Sequence, residues 1–209
     1  MKKLIQGIVD FRRARREGYA GTFAKLALGQ QPDALFIACS DSRVAVNVFA
    51  SADPGDLFVL RNVGNMIPPW GDPGGTAAAA AIEYALEILK VRDVVICGHS
   101  DCGAMRARRQ GLSSLPAGPV RDWLALAGGT EAPAADADED SRRNVLLQLE
   151  RLKGYPSVAR AIEERSLGLH GLWFDIRRVD VLYREPEAGN WAVVDEAEGG
   201  RILARLEGR

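Results

Sequence analysis

Leu35-Phe36-Ile37-Ala38-Cys39-Ser40-Asp41-Ser42-Arg43-Val44 decides how the chain is read. Its first four residues are a short apolar run of the kind that forms a buried strand, and polar groups begin where that run stops. A thiol, a carboxylate and a guanidinium then follow at alternate positions. Open α/β sheets place their chemistry at the carboxyl ends of strands. A second apolar run, Val94-Val95-Ile96-Cys97, leads in the same way into Gly98-His99-Ser100-Asp101-Cys102-Gly103. Two strand ends thus offer two cysteines, a histidine and a spare carboxylate, which is a zinc ligand set.

Working outward, further strands are expected at Leu57–Leu60, Leu169–Ile176, Val179–Tyr183 and, briefly, Ala192–Val194. Helices are expected over residues 3–18 (closed by Gly18), Thr22–Leu28, Val44–Ala50, Thr76–Lys90, Cys102–Gln110, Arg143–Arg151 and Ser157–Arg165. The alternation of strand and helix predicts an α/β fold. Its sheet is mostly parallel, with four such strands plus an antiparallel edge strand, and helices flank it. Residues 1–209 read as one domain with an N-terminal helical arm over about 1–30, and neither an internal repeat nor a second-domain boundary is evident. Residues 113–119 and 128–141 read as loops. The second carries Glu131, Asp136, Asp138, Glu139 and Asp140, expected to be a solvated acidic surface.

Composition excludes several classes. A net charge of −1 gives no field directed at nucleic acid or membrane. Arg12, Arg13, Arg15 and Arg16 crowd one helix end, but no nucleic-acid reader motif or interleaved aromatics accompany them. No apolar run is long enough to insert in a membrane, and Lys2-Lys3-Leu4-Ile5 leads into charged residues rather than a signal segment. Three cysteines do not make a disulfide framework; they suit a reducing compartment, and a cytoplasmic location is expected. A cysteine phosphatase cradle needs a longer Cys-to-Arg spacing than Cys39 to Arg43. There is no Cys-x-x-Cys pair and no Gly-x-Gly-x-x-Gly loop.

The chemistry then follows from ligand types. Cys39, His99 and Cys102 supply three zinc ligands and leave one position, the pattern of a catalytic metal. Asp41 has two possible roles: fourth ligand in a closed site, or partner of Arg43 that leaves the fourth place to water. In the paired role it would orient zinc-bound hydroxide for attack on a small electrophilic carbon. Two thiolates cancel the charge of the ion, so activity should favour alkaline pH. Asp101 is a weaker candidate ligand, next to Cys102. Cys97 reads as a small buried hydrophobe and His170 as a structural hydrogen-bonding residue.

These residues resemble the β-class carbonic anhydrases. The likeness covers most of the chain and is strongest from Gly29 to Arg106. It rests on Cys39-Ser40-Asp41-Ser42-Arg43, Arg61-Asn62-Val63-Gly64-Asn65, Glu83-Tyr84-Ala85, Gly98-His99-Ser100-Asp101-Cys102-Gly103-Ala104 and Leu169-His170-Gly171. The resemblance implies reversible hydration of carbon dioxide to bicarbonate by a lyase. It also implies one zinc per subunit on Cys39, His99 and Cys102, an Asp41–Arg43 dyad, and a homodimer or a homo-oligomer of dimers. Gln30, Phe58, Tyr84 and the Gly103 backbone N–H match the substrate-binding positions of the open-site, plant-like subgroup, where the pocket lies at a subunit boundary. The bicarbonate-inhibited subgroup has a tryptophan where this chain has Phe36 and a Trp-x-Tyr where it has Trp173-Phe174; only Arg61 of that trio is present. Control by such a site is therefore not expected. Two alternatives keep the fold: hydrolysis of carbon disulfide or carbonyl sulfide, and a non-catalytic zinc-stabilised protein that partners a bicarbonate transporter.

Overall fold

The structure is a computed structural model that describes residues 1–126, 128, 134–165 and 167–208, the side chain of Arg165 excepted. Six strands form one sheet: β1 (Ala34–Cys39), β2 (Leu57–Asn62), β3 (Asp93–His99), β4 (Gly168–Asp175), β5 (Asp180–Arg184) and β6 (Trp191–Val193), in the order β2-β1-β3-β4-β5-β6. The first four in that order run parallel, and β5 and β6 add antiparallel. The expected architecture holds, with two antiparallel strands at the edge.

All six residues of β1 are buried, because the sheet is covered on both faces. Leu35 and Ile37 enter one cluster with Val94, Ile96, Ile82, Leu86, Val145 and Leu152. Phe36 and Ala38 point the other way, toward Val44, Val46, Cys97 and Phe174. Each large aliphatic side chain removed from water there contributes about 1.5–3 kcal/mol. The core therefore fixes β1 and β3 side by side, with Ala38 opposite Cys97, so both strands end at the same edge of the sheet.

The helices depart from expectation in instructive places. The first helix, α1 (Lys2–Ala14), stops before Gly18, which lies inside α2 (Arg16–Leu26) and caps nothing. The break at Arg15 lets Phe11 stack on Tyr19 at 6.0 Å. Val44–Ala50 condenses to one turn, α3 (Val46–Phe49). Over Thr76–Lys90 the chain forms α4 (Thr76–Glu83) and then a π-helical turn from Tyr84 to Ile88, with Gly75 rather than Thr76 at the cap position. After α5 (Gly103–Arg109), an unpredicted α6 (Pro119–Leu126) begins with proline, whose missing N–H costs nothing at a helix start.

The main correction concerns the acidic stretch. Its second half is the first turn of α7 (Ala137–Lys153), capped by Asp136, whose carboxylate accepts from the Glu139 N–H at 2.7 Å. Carboxylates at a helix N-terminus offset its dipole, so acidity here marks a helix start rather than a loop. Nor are these groups only solvated: Asp140 pairs with Arg109 at 2.9 Å and Asp138 accepts from the Asp101 N–H. Glu131 lies outside the described residues. Two further helices, α8 (Pro156–Arg165) and α9 (Glu196–Glu207), complete the fold. Val179 adopts φ +62° in the turn before β5 instead of joining the strand. No helix among the described residues is long and apolar enough to cross a membrane.

Candidate active site

Cys39 is the last residue of β1 and His99 the last of β3, while Cys102 sits at the N-cap of α5. Their ligand atoms all lie within 4.8 Å of one another, and all three residues are buried. The His99 ring is held in one sense. Its Nδ1 lies 2.9 Å from the Ser100 carbonyl, which makes that nitrogen the N–H donor and leaves Nε2 with its lone pair. Nε2 is buried and has no hydrogen-bond partner among the described residues. A buried acceptor beside two sulfurs and without a hydrogen-bond partner among the described residues is costly unless a cation completes it. The donor set therefore fits a soft, tetrahedral ion such as zinc.

The sulfurs are prepared for the same role. The Gly64 N–H points at Cys39 Sγ at 3.4 Å. The Cys39 thiol is pulled well below its ordinary range, first by a hydrogen bond from Cys102 and then by the His99 ring and the Asp41 and Gly64 amides. Burial opposes the shift and does not cancel it. Cys102 moves upward, because its hydrogen bond to Cys39, then its burial and the charge on Cys39, disfavour a second thiolate without a metal. By contrast Cys97, on the other side of the sheet, is pushed up to about 12 by burial, consistent with a packing residue.

Asp41 stands on Arg43. Arg43 Nε donates to Asp41 Oδ1 at 2.9 Å and Nη2 to Oδ2 at 2.8 Å, and the Arg43 backbone N–H also reaches Oδ1 at 3.0 Å. This fork holds the carboxyl far below the usual carboxylate range, so it is ionised at any working pH. Arg61, from the end of β2, donates to the carbonyls of both Cys39 and Asp41 at 2.7 Å and so fixes the turn between them.

Helix α7 supports this site through one polar face that the sequence reading missed. Ser141 donates to the His99 carbonyl at 2.9 Å, Asn144 to the Gly64 carbonyl at 3.0 Å, and Gln148 accepts from the Ile67 N–H at 2.7 Å. These residues recur at three- or four-residue spacing, and all three are buried. A polar stripe on a helix ordinarily signals solvent, so nothing in the sequence distinguished this one.

The remaining predicted residues divide in two. Gly103 is exposed beside Cys102, with nothing within 4 Å of the place a Cβ would occupy. Phe58 stacks on Tyr84 with ring centroids 5.7 Å apart. Phe58, however, pairs with Leu35, four residues before Cys39, which is roughly 13 Å along the strand. Gln30 is exposed in the segment that leads into the opposite end of β1. A single chain thus does not bring Gln30, Phe58 and Tyr84 to the end of the sheet that holds Cys39 and His99.

A model of the carbonic anhydrase family matches residues 34–181. The chain belongs to the β-class carbonic anhydrases. It is 44% identical over 196 residues to a carbonic anhydrase of Pseudomonas aeruginosa, a match that covers 87% of each chain. Carbonic anhydrase 1 of Escherichia coli O157:H7 is 42% identical over 188 residues, with 84% of each chain covered. Among solved structures, the β-carbonic anhydrase CcaA superposes with a TM-score of 0.83 at 35% identity, over 94% of this chain and 92% of that one. A tetrameric β-carbonic anhydrase of the fungus Sordaria macrospora does so with a TM-score of 0.72 at 30% identity, over 92% and 95%. The Cys-His-Cys cluster and the Asp41–Arg43 pair both fall inside the stretch that the carbonic anhydrase model matches.

Proposed function

We propose that this chain catalyses the reversible hydration of carbon dioxide to bicarbonate and a proton, with one zinc ion per subunit held by Cys39, His99 and Cys102. The observation that carries the proposal is the buried, unpartnered Nε2 of His99 facing two cysteine sulfurs, beside a carboxylate already committed to an arginine. Bound there, zinc would supply a water molecule acidified enough to act as a nucleophile, less so than at an all-histidine site because two thiolates offset its charge.

The chain's own groups then do the positioning. Both oxygens of Asp41 accept from Arg43: Oδ1 takes two of its N–H groups and Oδ2 one, so Oδ2 keeps a second lone pair. Asp41 Oδ2 uses that pair to accept the hydrogen of the attacking O–H, which turns the oxygen's free pair toward the carbon. Held by Arg43, Asp41 would be kept from ligating the ion, whose protein ligands would then be Cys39, His99 and Cys102. The Gly103 N–H donates to an oxygen of the substrate. Phe58 and Tyr84 provide an apolar wall suited to an uncharged linear molecule, with Gln30 as a polar contact.

Because those three residues lie at the opposite end of the sheet, they act on the site of a second subunit. The helical arm supports this assembly. Neither α1 nor α2 buries a residue within the chain, and Leu4, Ile5, Ile8 and Val9 are all at least half exposed. Such a contiguous apolar face is a binding surface for another chain. The tetrameric state of the Sordaria macrospora relative is in keeping with a homodimer or an oligomer of dimers. Three free cysteines suit a reducing cytoplasm.

The test is exchange of oxygen-18 from labelled carbon dioxide into water, followed by mass spectrometry. Rapid exchange by zinc-loaded protein that stops on chelation supports the proposal; exchange no faster than buffer at full zinc occupancy rejects it.

A further inference from the structure

We propose that Asp101 is a positioning residue for the Asp41–Arg43 pair: it clamps the far edge of the Arg43 guanidinium and thereby keeps Asp41 on the arginine. The inference rests on the functional reading above and deepens it. Arg43 makes four side-chain hydrogen bonds, two to Asp41 and two to Asp101. Nη1 donates to Asp101 Oδ2 and Nη2 to the Asp101 carbonyl, each at 3.0 Å. One edge of the guanidinium (Nε and Nη2) is thus committed to Asp41 and the next (Nη1 and Nη2) to Asp101, and a planar fork fixed along two edges does not rotate readily away from either.

Asp101 is itself held from two further directions. Arg106, one turn into α5, meets its other carboxylate oxygen at 2.8 Å. From α7, Asp138 accepts the Asp101 backbone N–H at 2.6 Å. The Asp101 backbone is left-handed, with φ +54°, which turns its side chain back toward Arg43 while His99 and Cys102 on either side face the metal site. The chain of contacts Asp138–Asp101–Arg43–Asp41 therefore ties the carboxylate beside the metal site to the helix that also supports His99.

Exposure separates this role from a stabilising one. The Arg43 and Asp101 side chains are 42% and 50% exposed, so their ion pair is screened and adds little to stability. If only the left-handed turn mattered, glycine would serve at least as well. Asp101→Gly keeps the backbone carbonyl that accepts from Arg43 but removes the carboxylate, and so isolates the clamp. With the guanidinium free to rotate, Asp41 gains access to its other role as a fourth ligand.

The experiment compares wild type, Asp101→Gly and Asp138→Ala, which removes the acceptor of the Asp101 N–H and so loosens the same residue from the α7 side. Each is loaded with zinc for turnover, and with cobalt so that its visible bands report the ligands. We expect Asp101→Gly to lose turnover on the order of 10-fold in kcat with KM unchanged, as misplacement of an orienting group does. Its cobalt bands should need at least about tenfold more thiocyanate to shift, since Asp41 competes for the exchangeable position. Asp138→Ala should move both readouts the same way by less, and it also decides the matter if Asp101→Gly fails to fold. Thiocyanate responses identical to wild type in the folded variants overturn the clamp, whatever their turnover. Absence of carbon dioxide turnover in zinc-loaded wild type would count against the proposed reaction instead, and the cobalt titration would still judge Asp101.

Discussion

Ser141 donates its hydroxyl hydrogen to the His99 carbonyl at 2.9 Å and accepts from Trp173 Nε1 at 3.2 Å. One small side chain on α7 thus satisfies the last backbone carbonyl of β3 and a buried indole together. Ser141→Ala leaves both unpaired in a site without water access, at about 1–3 kcal/mol. We expect a lower denaturant midpoint with an unchanged m-value. Weaker zinc retention should accompany it, measured by competition with a chromogenic chelator.

Asp41→Asn removes the charge that Arg43 holds in place while nearly preserving shape. Turnover is expected to fall by about 10²–10⁴. Zinc content, measured by atomic emission, should stay near that of wild type, because the ligand set is intact. The Arg43 fork holds the Asp41 carboxyl below the ordinary range, so its folded-state contribution is fully present above about pH 4 and is lost only as pH falls through the depressed value. A fall in activity between pH 8 and pH 6 in wild type therefore reports another group.

Much of this site was legible because its chemistry is carried by rare residue types at strand ends. Cys39, His99 and Cys102 announce themselves, and the alternation Cys39-Asp41-Arg43 places the carboxylate within reach of its arginine. What was not legible depends on residues that look ordinary. Ser141 falls at the end of an expected loop and Asn144 and Gln148 in an expected helix with no sign of burial, yet all three fill a buried seam against the loops of the site. Asp138 read as loop surface, and only the packing of α7 brings it to Asp101. Phe58 and Tyr84 were matched by motif, but no local pattern could tell that Phe58 lies roughly 13 Å along the sheet from Cys39 in the same chain, with Tyr84 stacked on it.

His99→Ala deletes the one nitrogen donor and leaves two thiols around a cavity. Zinc stoichiometry is expected to drop well below one per chain after dialysis, with turnover lost in proportion. Cys97→Ala, on the opposite face of the sheet, should change neither.

Cys97 supplies a separate pH test. Burial pushes its thiol up to about 12, above the unfolded value near 9, so the folded state favours the neutral thiol. The stability this represents is fully present below about pH 9 and is lost progressively as pH rises toward 12. Cys97→Ala should therefore lose less stability than wild type between pH 8 and pH 11 in urea titrations, whatever its stability at pH 8. In folded wild type at pH 8, peptide mapping should find Cys97 unmodified by iodoacetamide.

The central claim is that a metal held by Cys39, His99 and Cys102 hydrates carbon dioxide with Asp41 held on Arg43. Stopped-flow hydration with a pH indicator, on zinc-loaded protein from pH 7 to pH 9, tests it most directly. The account predicts turnover across the whole range, rising toward alkaline pH and abolished in Cys39→Ser. No turnover at any pH with one zinc per chain, or equal turnover in Cys39→Ser, would contradict it.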